Sequence, residues 1–473
     1  VEPTPAAPPE APRSRGWTVR ATAGFVVLVA AAIGIFLWIR SIGIGLTAPA
    51  PATHQGVLAR GSSGSQLHTL QHVLLALAVV IAAARAVGYL FRRLGQPPVI
   101  GEVIAGILLG PSLLGHLWPE AAETVLPASI APSVRVIAQI GIVLYMFLVG
   151  LDLNPAHLRR NPTAVILISN ASIVLPFVLG AGLSLWLYPR FATSDVPFPV
   201  FALFIGVSMS VTAFPVLARI LTDRGMHRSR IGTIALTCAA VDDITAWCLL
   251  ALVISVARAE VGDAVGTLAM SFGFVSLMLV VGRRMAEWVA RRDQGEVKNG
   301  TMGVVFVALL LSAFATEWIG IHALFGAFLF GAVIPHDSPL AKNLIHRLHD
   351  FVVVFFLPAY FALTGMRTEI GLVTGLDQWL MCGVIVLVAS FGKFGGAFVA
   401  ARISGLPRRE SAAIGILMNT RGLMELIVLN IGLDLGVISP TLFTMLVLMA
   451  IITTIVTTPI LDRLNRDRAL LAD

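Results

Sequence analysis

Apolar runs long enough to cross a bilayer recur from residue 22 to residue 460, separated by short polar connections. The first covers about 22–39. Thirteen more are expected near 69–90, 98–114, 132–152, 163–187, 198–221, 229–257, 264–286, 301–318, 320–335, 349–366, 379–402, 410–434 and 440–460. Several approach the roughly 20 residues a helix needs to span the hydrocarbon core. The pattern predicts an all-α polytopic membrane protein. The Pro- and Ala-rich first 17 residues read as disordered, and 50–66, with GSSGS, as a polar loop. The run at 22–39 follows Arg13, Arg15 and Arg20. A signal peptide with a small-residue site near Thr47-Ala48-Pro49-Ala50 is therefore the alternative to a retained first span. Its length favours retention.

Composition and charge then narrow the classes. Of 473 residues, 57% are apolar and 12% charged, against roughly 25% charged in a soluble domain. A net charge of +7 would suit a nucleic-acid partner, but the basic residues fall in connections on one side. They are Arg92 and Arg93, Arg159 and Arg160, Arg224 with Arg228 and Arg230, Arg283 with Arg284, Arg291 and Arg292, Lys342 with Arg347, Arg402 with Arg408 and Arg409, and Arg463 with Arg466. Opposite connections carry Glu120, Glu123, Glu260 and Asp263. The basic side is cytoplasmic by the positive-inside rule, which predicts a multi-pass protein of the cytoplasmic (inner) membrane with its C-terminus inside. Cys238, Cys248 and Cys382 lie within apolar runs without metal-ligand spacing and read as buried packing thiols. No phosphate-binding loop or nucleophile elbow is present, so neither ATP drive nor an enzyme is expected.

Against that background the charges within the spans stand out. VDDITAW places Asp242 and Asp243 about halfway along one span, where an acid is costly and marks a functional site. The preceding span contains Ser208, Ser210, Thr212 and Pro215, and a proline removes a donor and clashes with the turn before it. Seven spans later, Asn419, Thr420, Arg421, Gly422 and Glu425 interrupt another apolar run. A weak internal echo has the same offset: GEVIAGILLGP (101–111) with FGAFLFGAVIP (325–335), and FLVGLDL (147–153) with FALTGMR (361–367). An odd offset inverts the second copy, and paired interrupted helices in inverted repeats point to a transporter's binding site. At 1.5 Å rise per residue, Thr212, Lys393, Arg421, Asp242 and Glu425 fall about 14 to 22 Å from the cytoplasmic ends, in the middle of the membrane.

Desolvation and a like-charged neighbour favour a carboxylate's protonated form, so such a group binds a proton or a cation but not readily both. Adjacent helical residues point about 100° apart, so one acid can meet an ammonium while the other faces the ion path. Lys393 is the expected ammonium. Arg421 is suited to holding Glu425 or the negative ends of broken helices. A purely structural buried ion pair would explain Lys393 but not the second acid or the paired interruptions. Glu102 faces the bundle as a possible gating acid or caps a helix, Asp152 and Arg367 read as interfacial, and His322 and His336 as local bonders.

QPPVIGEVIAGILLGPSLLG, TAFPVLARIL, VDDITAW, GIHALFGAFLFGAVIP, FFLPAYFALTGMRTEI and NTRGLMELIVLNIG together resemble the monovalent cation:proton antiporter-2 family, over roughly residues 68–460. The likeness is to its cation/H+ exchanger branch, with Kef-type membrane domains and plant CHX proteins. The resemblance implies a sodium/proton antiporter-like fold of inverted repeats with two crossed interrupted helices. It further implies thirteen family spans, besides the extra N-terminal one, and a homodimer. A dimerisation and gate half (67–155 and 300–370) would flank an ion-binding core (160–258 and 378–462), between an N-terminal segment 1–66 and a tail at 468–473. It also implies Asp243 as the alternating carrier of K+ or Na+ and H+, and Asp242 as the partner of Lys393. The two-aspartate version resembles the electrogenic kind. The chain ends shortly after the last span, so the nucleotide-binding domain of Kef proteins is not expected. The function implied is exchange of a monovalent cation for protons, without a cofactor. The alternatives are a channel or uniporter without proton coupling, which lacks a TVGYG-type filter here, and a transport-inactive sensor or scaffold, which the intact charges disfavour.

Overall fold

The computed structural model describes residues 15–47, 66–152, 162–193, 196–226, 229–258, 264–292 and 298–464, and every regular element in them is helical. The first half contains α1 (Arg15–Gly43), α2 (Gln66–Arg93), α3 (Pro98–Leu109), the short α4 (Leu114–Leu117) and α5 (Pro119–Val125), α6 (Ala131–Asp152), α7 (Pro162–Phe191), α8 (Phe198–Ser210), α9 (Phe214–Asp223) and α10 (Arg230–Arg258). The second contains α11 (Ala264–Leu277), α12 (Arg283–Arg292), α13 (Asn299–Ile319), α14 (Ala323–Val333), α15 (Pro339–Phe351), α16 (Leu357–Met366), α17 (Gly375–Ile403), α18 (Arg408–Met418), α19 (Leu423–Asp434) and α20 (Pro440–Leu464). Wide π-helical turns carry α11 into α12 and α15 into α16.

Eleven helices among the described residues are long and apolar enough to cross a membrane. The runs expected near 320–335 and 410–434 are built differently. The first contains the 11-residue α14, about 16 Å long at helical rise. The second is two half-length helices, α18 and α19. Other expectations shift as well. Lys342 and Arg347 sit on helix α15, and the four arginines from 283 to 292 on α12, not in loops. Cys248 is exposed on α10, not buried. His322 caps α14 through a contact with the Leu324 N–H, and His336 meets the Leu151 carbonyl. Arg159, Arg160, Arg228, Glu260, Asp263 and Arg466, the first 14 residues, the 48–65 stretch with most of the possible cleavage site, and the tail lie outside the described residues.

Helices at the seven-span offset exchange partners. α3 packs on α16, while α14 packs on α6. The cause is small residues at the crossings, which let backbones touch where lipid gives no hydrophobic drive to associate. A methyl at Gly106 would overlap the backbone of Ala362, and one at Gly365 the carbonyl of Val103. In the other pair, a methyl at Gly150 would strike the Phe328 carbonyl, and one at Gly331 the Phe147 carbonyl. α7 and α17, themselves at that offset, pack directly together. α1 lies along α7, with Phe36 against Phe177. Large apolar side chains such as Leu310, Leu311 and Phe314 of α13 face outward, as a lipid-facing surface requires. The charged side chains buried among the described residues are Glu102, Asp242, Asp243, Lys393, Arg421 and Glu425. All but Glu102 gather around the two interrupted helices.

Candidate ion-binding site

The first interruption is short. α8 ends at Ser210, Val211 and Ala213 are extended, and α9 begins at Phe214. Pro215 does not sit in the break but in the first turn of α9, where its missing N–H costs nothing. Its ring opposes a helix continuing from Val211, four residues earlier. The second interruption separates Met418 from Leu423, and Gly422 at φ 156° adopts a conformation that side chains resist. The two breaks touch. The Ala213 N–H donates to the Thr420 carbonyl at 3.0 Å. Thr454 of α20 serves the second break, accepting from the Arg421 N–H at 3.0 Å and donating to the Arg421 carbonyl at 2.7 Å.

Asp242 lies beside this junction with no exposed surface. Ser169 donates to its Oδ1 at 2.6 Å, and Ser172 and Thr212 donate to its Oδ2 at 2.8 Å each. The Lys393 ammonium approaches Oδ2 to 3.2 Å and donates to the Thr212 hydroxyl at 2.5 Å. Three of these groups meet Oδ2 and one meets Oδ1, and the Ser172 hydroxyl also lies 2.8 Å from the Ser169 carbonyl. Asp242 is held from several sides.

Asp243 is nearly as buried, yet no side chain donates to either of its carboxylate oxygens. The groups acting on it are the charges of Asp242 and Lys393 and one backbone donor, the Phe214 N–H at the start of α9. One residue along α10 rotates the side chain by about 100°, away from the serines of α7. Burial of an acid without a side-chain donor is costly, and a cation or a proton would relieve it.

On the other side of the junction, the Arg421 guanidinium donates to Glu425 at 2.5 Å and to the carbonyls of Ser208 and Met209 at 3.0 and 2.7 Å. Those carbonyls belong to the last turn of α8, which lacks helical partners for its oxygens. A narrow cleft separates Val99, Ile100 and Val103 of α3 from Val216, Arg421 and Gly422.

The remaining candidates divide. Ser208 and Ser210 turn back on the carbonyls of Phe204 and Gly206, and Ser210 also reaches Ile173. Asn419 and Thr420 are buried in the second break with side-chain oxygens lacking a partner. Glu102 stands apart from the junction, in the field of Arg85 on α2. Ser169 and Ser172 were absent from the expectations. Their signal was a pair of hydroxyls at i and i+3 in an apolar span, which share a helix face. Among the described residues, no three His, Cys, Asp or Glu side chains gather to hold a metal.

Helices broken at mid-length around buried charges define a secondary transporter. The chain belongs to the sodium/hydrogen exchanger transmembrane family, whose profile matches residues 75–464, and it is accordingly a secondary active cation/proton antiporter and not an enzyme. It is 46% identical over 401 residues to the Na(+)/H(+) antiporter NhaS4 of Synechocystis sp., covering 84% of this chain and 98% of that one. It is 40% identical over 402 residues to cation/H(+) antiporter 20 of Arabidopsis thaliana, covering 82% of this chain and 48% of the relative. The chain thus spans about half the length of that plant protein. Its fold resembles the sodium proton antiporter MjNhaP1 from Methanocaldococcus jannaschii, with a TM-score of 0.63 at 13% identity over 85% of this chain and 99% of that one.

Proposed function

We propose that the protein exchanges K+ or Na+ for H+ at Asp243 by alternating access. The observation that carries this reading is the contrast between two adjacent buried acids, one held by three hydroxyls and an ammonium and one without a side-chain donor. Lys393 offsets the charge of Asp242, so the site presents one uncompensated negative charge. A cation neutralises it, or a proton does, and holding both in a desolvated site is disfavoured. The unpartnered oxygens of Asn419 and Thr420 are further candidate ligands at the junction.

In this reading α7 to α10 and α17 to α20 form the ion-binding core, and α2, α3, α6, α13, α14 and α16 the dimerisation and gate half of a homodimer. The partner exchange between α3–α16 and α14–α6 supports inverted repeats, with α8–α9 and α18–α19 as the crossed interrupted helices of a thirteen-span unit. Arg92, Arg93, Arg402, Arg408 and Arg409 support a cytoplasmic C-terminus. The test is reconstitution in liposomes with an internal pH dye. External K+ or Na+ should alkalinise vesicles loaded acidic, and no response to either, nor to Rb+ or Li+, would refute exchange.

A further inference from the structure

Arg367, expected to be merely interfacial, connects the two halves. It caps the end of α16, and 14% of its side chain is exposed. Its guanidinium donates to the Asn430 side-chain oxygen at 2.8 Å and to Asp434 at 2.6 Å, both on α19. Asn430 in turn donates to Thr364 at 2.9 Å and lies 3.5 Å from the Tyr360 hydroxyl, both on α16. Arg367 and Asn430 thus bond across from one helix to the other, and two further side-chain bonds in the group stay within a helix: Asn430 to the Leu426 carbonyl on α19 and Thr364 to the Tyr360 carbonyl on α16.

We infer that Arg367, with Asn430 and Asp434, is a latch between the gate half and the core that opens once in each transport cycle. The inference rests on the two-half exchange proposed above. α19 carries Glu425 and the second break at its start, and Asn430 and Asp434 at its end. Displacement of the core therefore moves the ion site and the latch together. The bonds are directional and charge-assisted, so a slide of a few ångströms breaks them together. The latch favours the state in which α16 and α19 touch. It is a positioning device, not an ion ligand.

Two experiments on the full chain, with Cys238, Cys248 and Cys382 replaced by Ala, test it. Thr364→Cys and Asn430→Cys place thiols where two side chains now meet. Oxidation of this pair should abolish cation-driven alkalinisation in liposomes, and reduction should restore it. Exchange that persists in the cross-linked protein would mean that the contact never opens. The second readout needs no transport. Thr364 is buried at 1% exposure, so a lone Thr364→Cys should react slowly with a water-soluble maleimide in membranes. Adding Arg367→Gln should speed labelling about fivefold or more, the low end of common conformational couplings, at an unchanged thermal midpoint. Unchanged labelling would overturn the latch. Failure of the uncross-linked protein to exchange cations, with labelling accelerated, would instead count against the antiport reading alone.

Discussion

Among the described residues two buried ion pairs lie a few residues from the same junction, and they are built in opposite ways. Arg421 and Glu425 are neighbours on one chain segment, and the guanidinium spends its other bonds on carbonyls at the end of α8. Lys393 and Asp242 come from α17 and α10, 151 residues apart, and share a hydroxyl from the first break. An arginine stays charged in a protein, whereas a buried lysine changes its protonation readily. The first pair is suited to a fixed strut and the second to a set of charges that responds during transport. Asp243 belongs to neither and has no side-chain donor, which is the ground for proposing it as the carrier.

The largest effect should come from removing that carboxylate. Asp243→Asn deletes the single uncompensated charge, so cation-driven alkalinisation of liposomes should vanish for every cation. The thermal midpoint in detergent should not fall, because no side-chain donor is lost and the amide oxygen can still accept from the Phe214 N–H. Exchange at the wild-type rate would reject the assignment of Asp243 as carrier.

The strut should be tested through stability. Arg421→Leu leaves Glu425 buried without its cation and the Ser208 and Met209 carbonyls without a donor. Breaking a buried pair from one side costs about 3–5 kcal/mol. Thermal unfolding in detergent should show a large drop in midpoint, with little folded protein recovered. A midpoint at the wild-type value would show that the pair is not structural.

Lys393→Ala should behave differently. It removes the ammonium but leaves three hydroxyls on Asp242, and that carboxylate can take up a proton in compensation. We expect exchange to persist, with its pH or voltage dependence altered. Measuring the rate from acidic to alkaline pH, with and without a potassium diffusion potential, separates this from a strut. Profiles that superimpose on the wild type after scaling would argue that Lys393 is as passive as Arg421.

Much of this contrast was legible in the residues. Apolar periodicity located the crossings, because a bilayer leaves a backbone few ways to satisfy its polar groups. The cost of mid-membrane charge singled out Asp242, Asp243, Lys393, Arg421 and Glu425, and the structure gathers those five around one junction. Depth along a helix follows from counting, but azimuth does not, so the residues alone left Glu102 between facing the bundle and capping a helix, and the structure buries it in the field of Arg85. Ser169 and Ser172 escaped notice because serine is common in membrane helices and its acceptor, Asp242, is 73 and 70 residues away. The first break was legible as a region around Thr212 to Pro215, while its bounds, after Ser210 and before Phe214, were not, because proline marks only where a helix can restart.

Those serines give the finest probe of how firmly the responsive pair is held. Ser169→Ala removes one donor, at 2.6 Å, from a carboxylate that keeps three others. Hydrogen bonds to charged groups contribute about 1.5–3 kcal/mol, and the remaining donors can close in on the vacated oxygen. A lowering of the thermal midpoint by a few degrees is expected, with exchange retained. Its pH profile should move the same way as that of Lys393→Ala, but less, since both changes leave Asp242 less well compensated. A shift in the opposite direction would mean that Ser169 acts on Asp243 instead, and the separation of the two acids into held and open would fail.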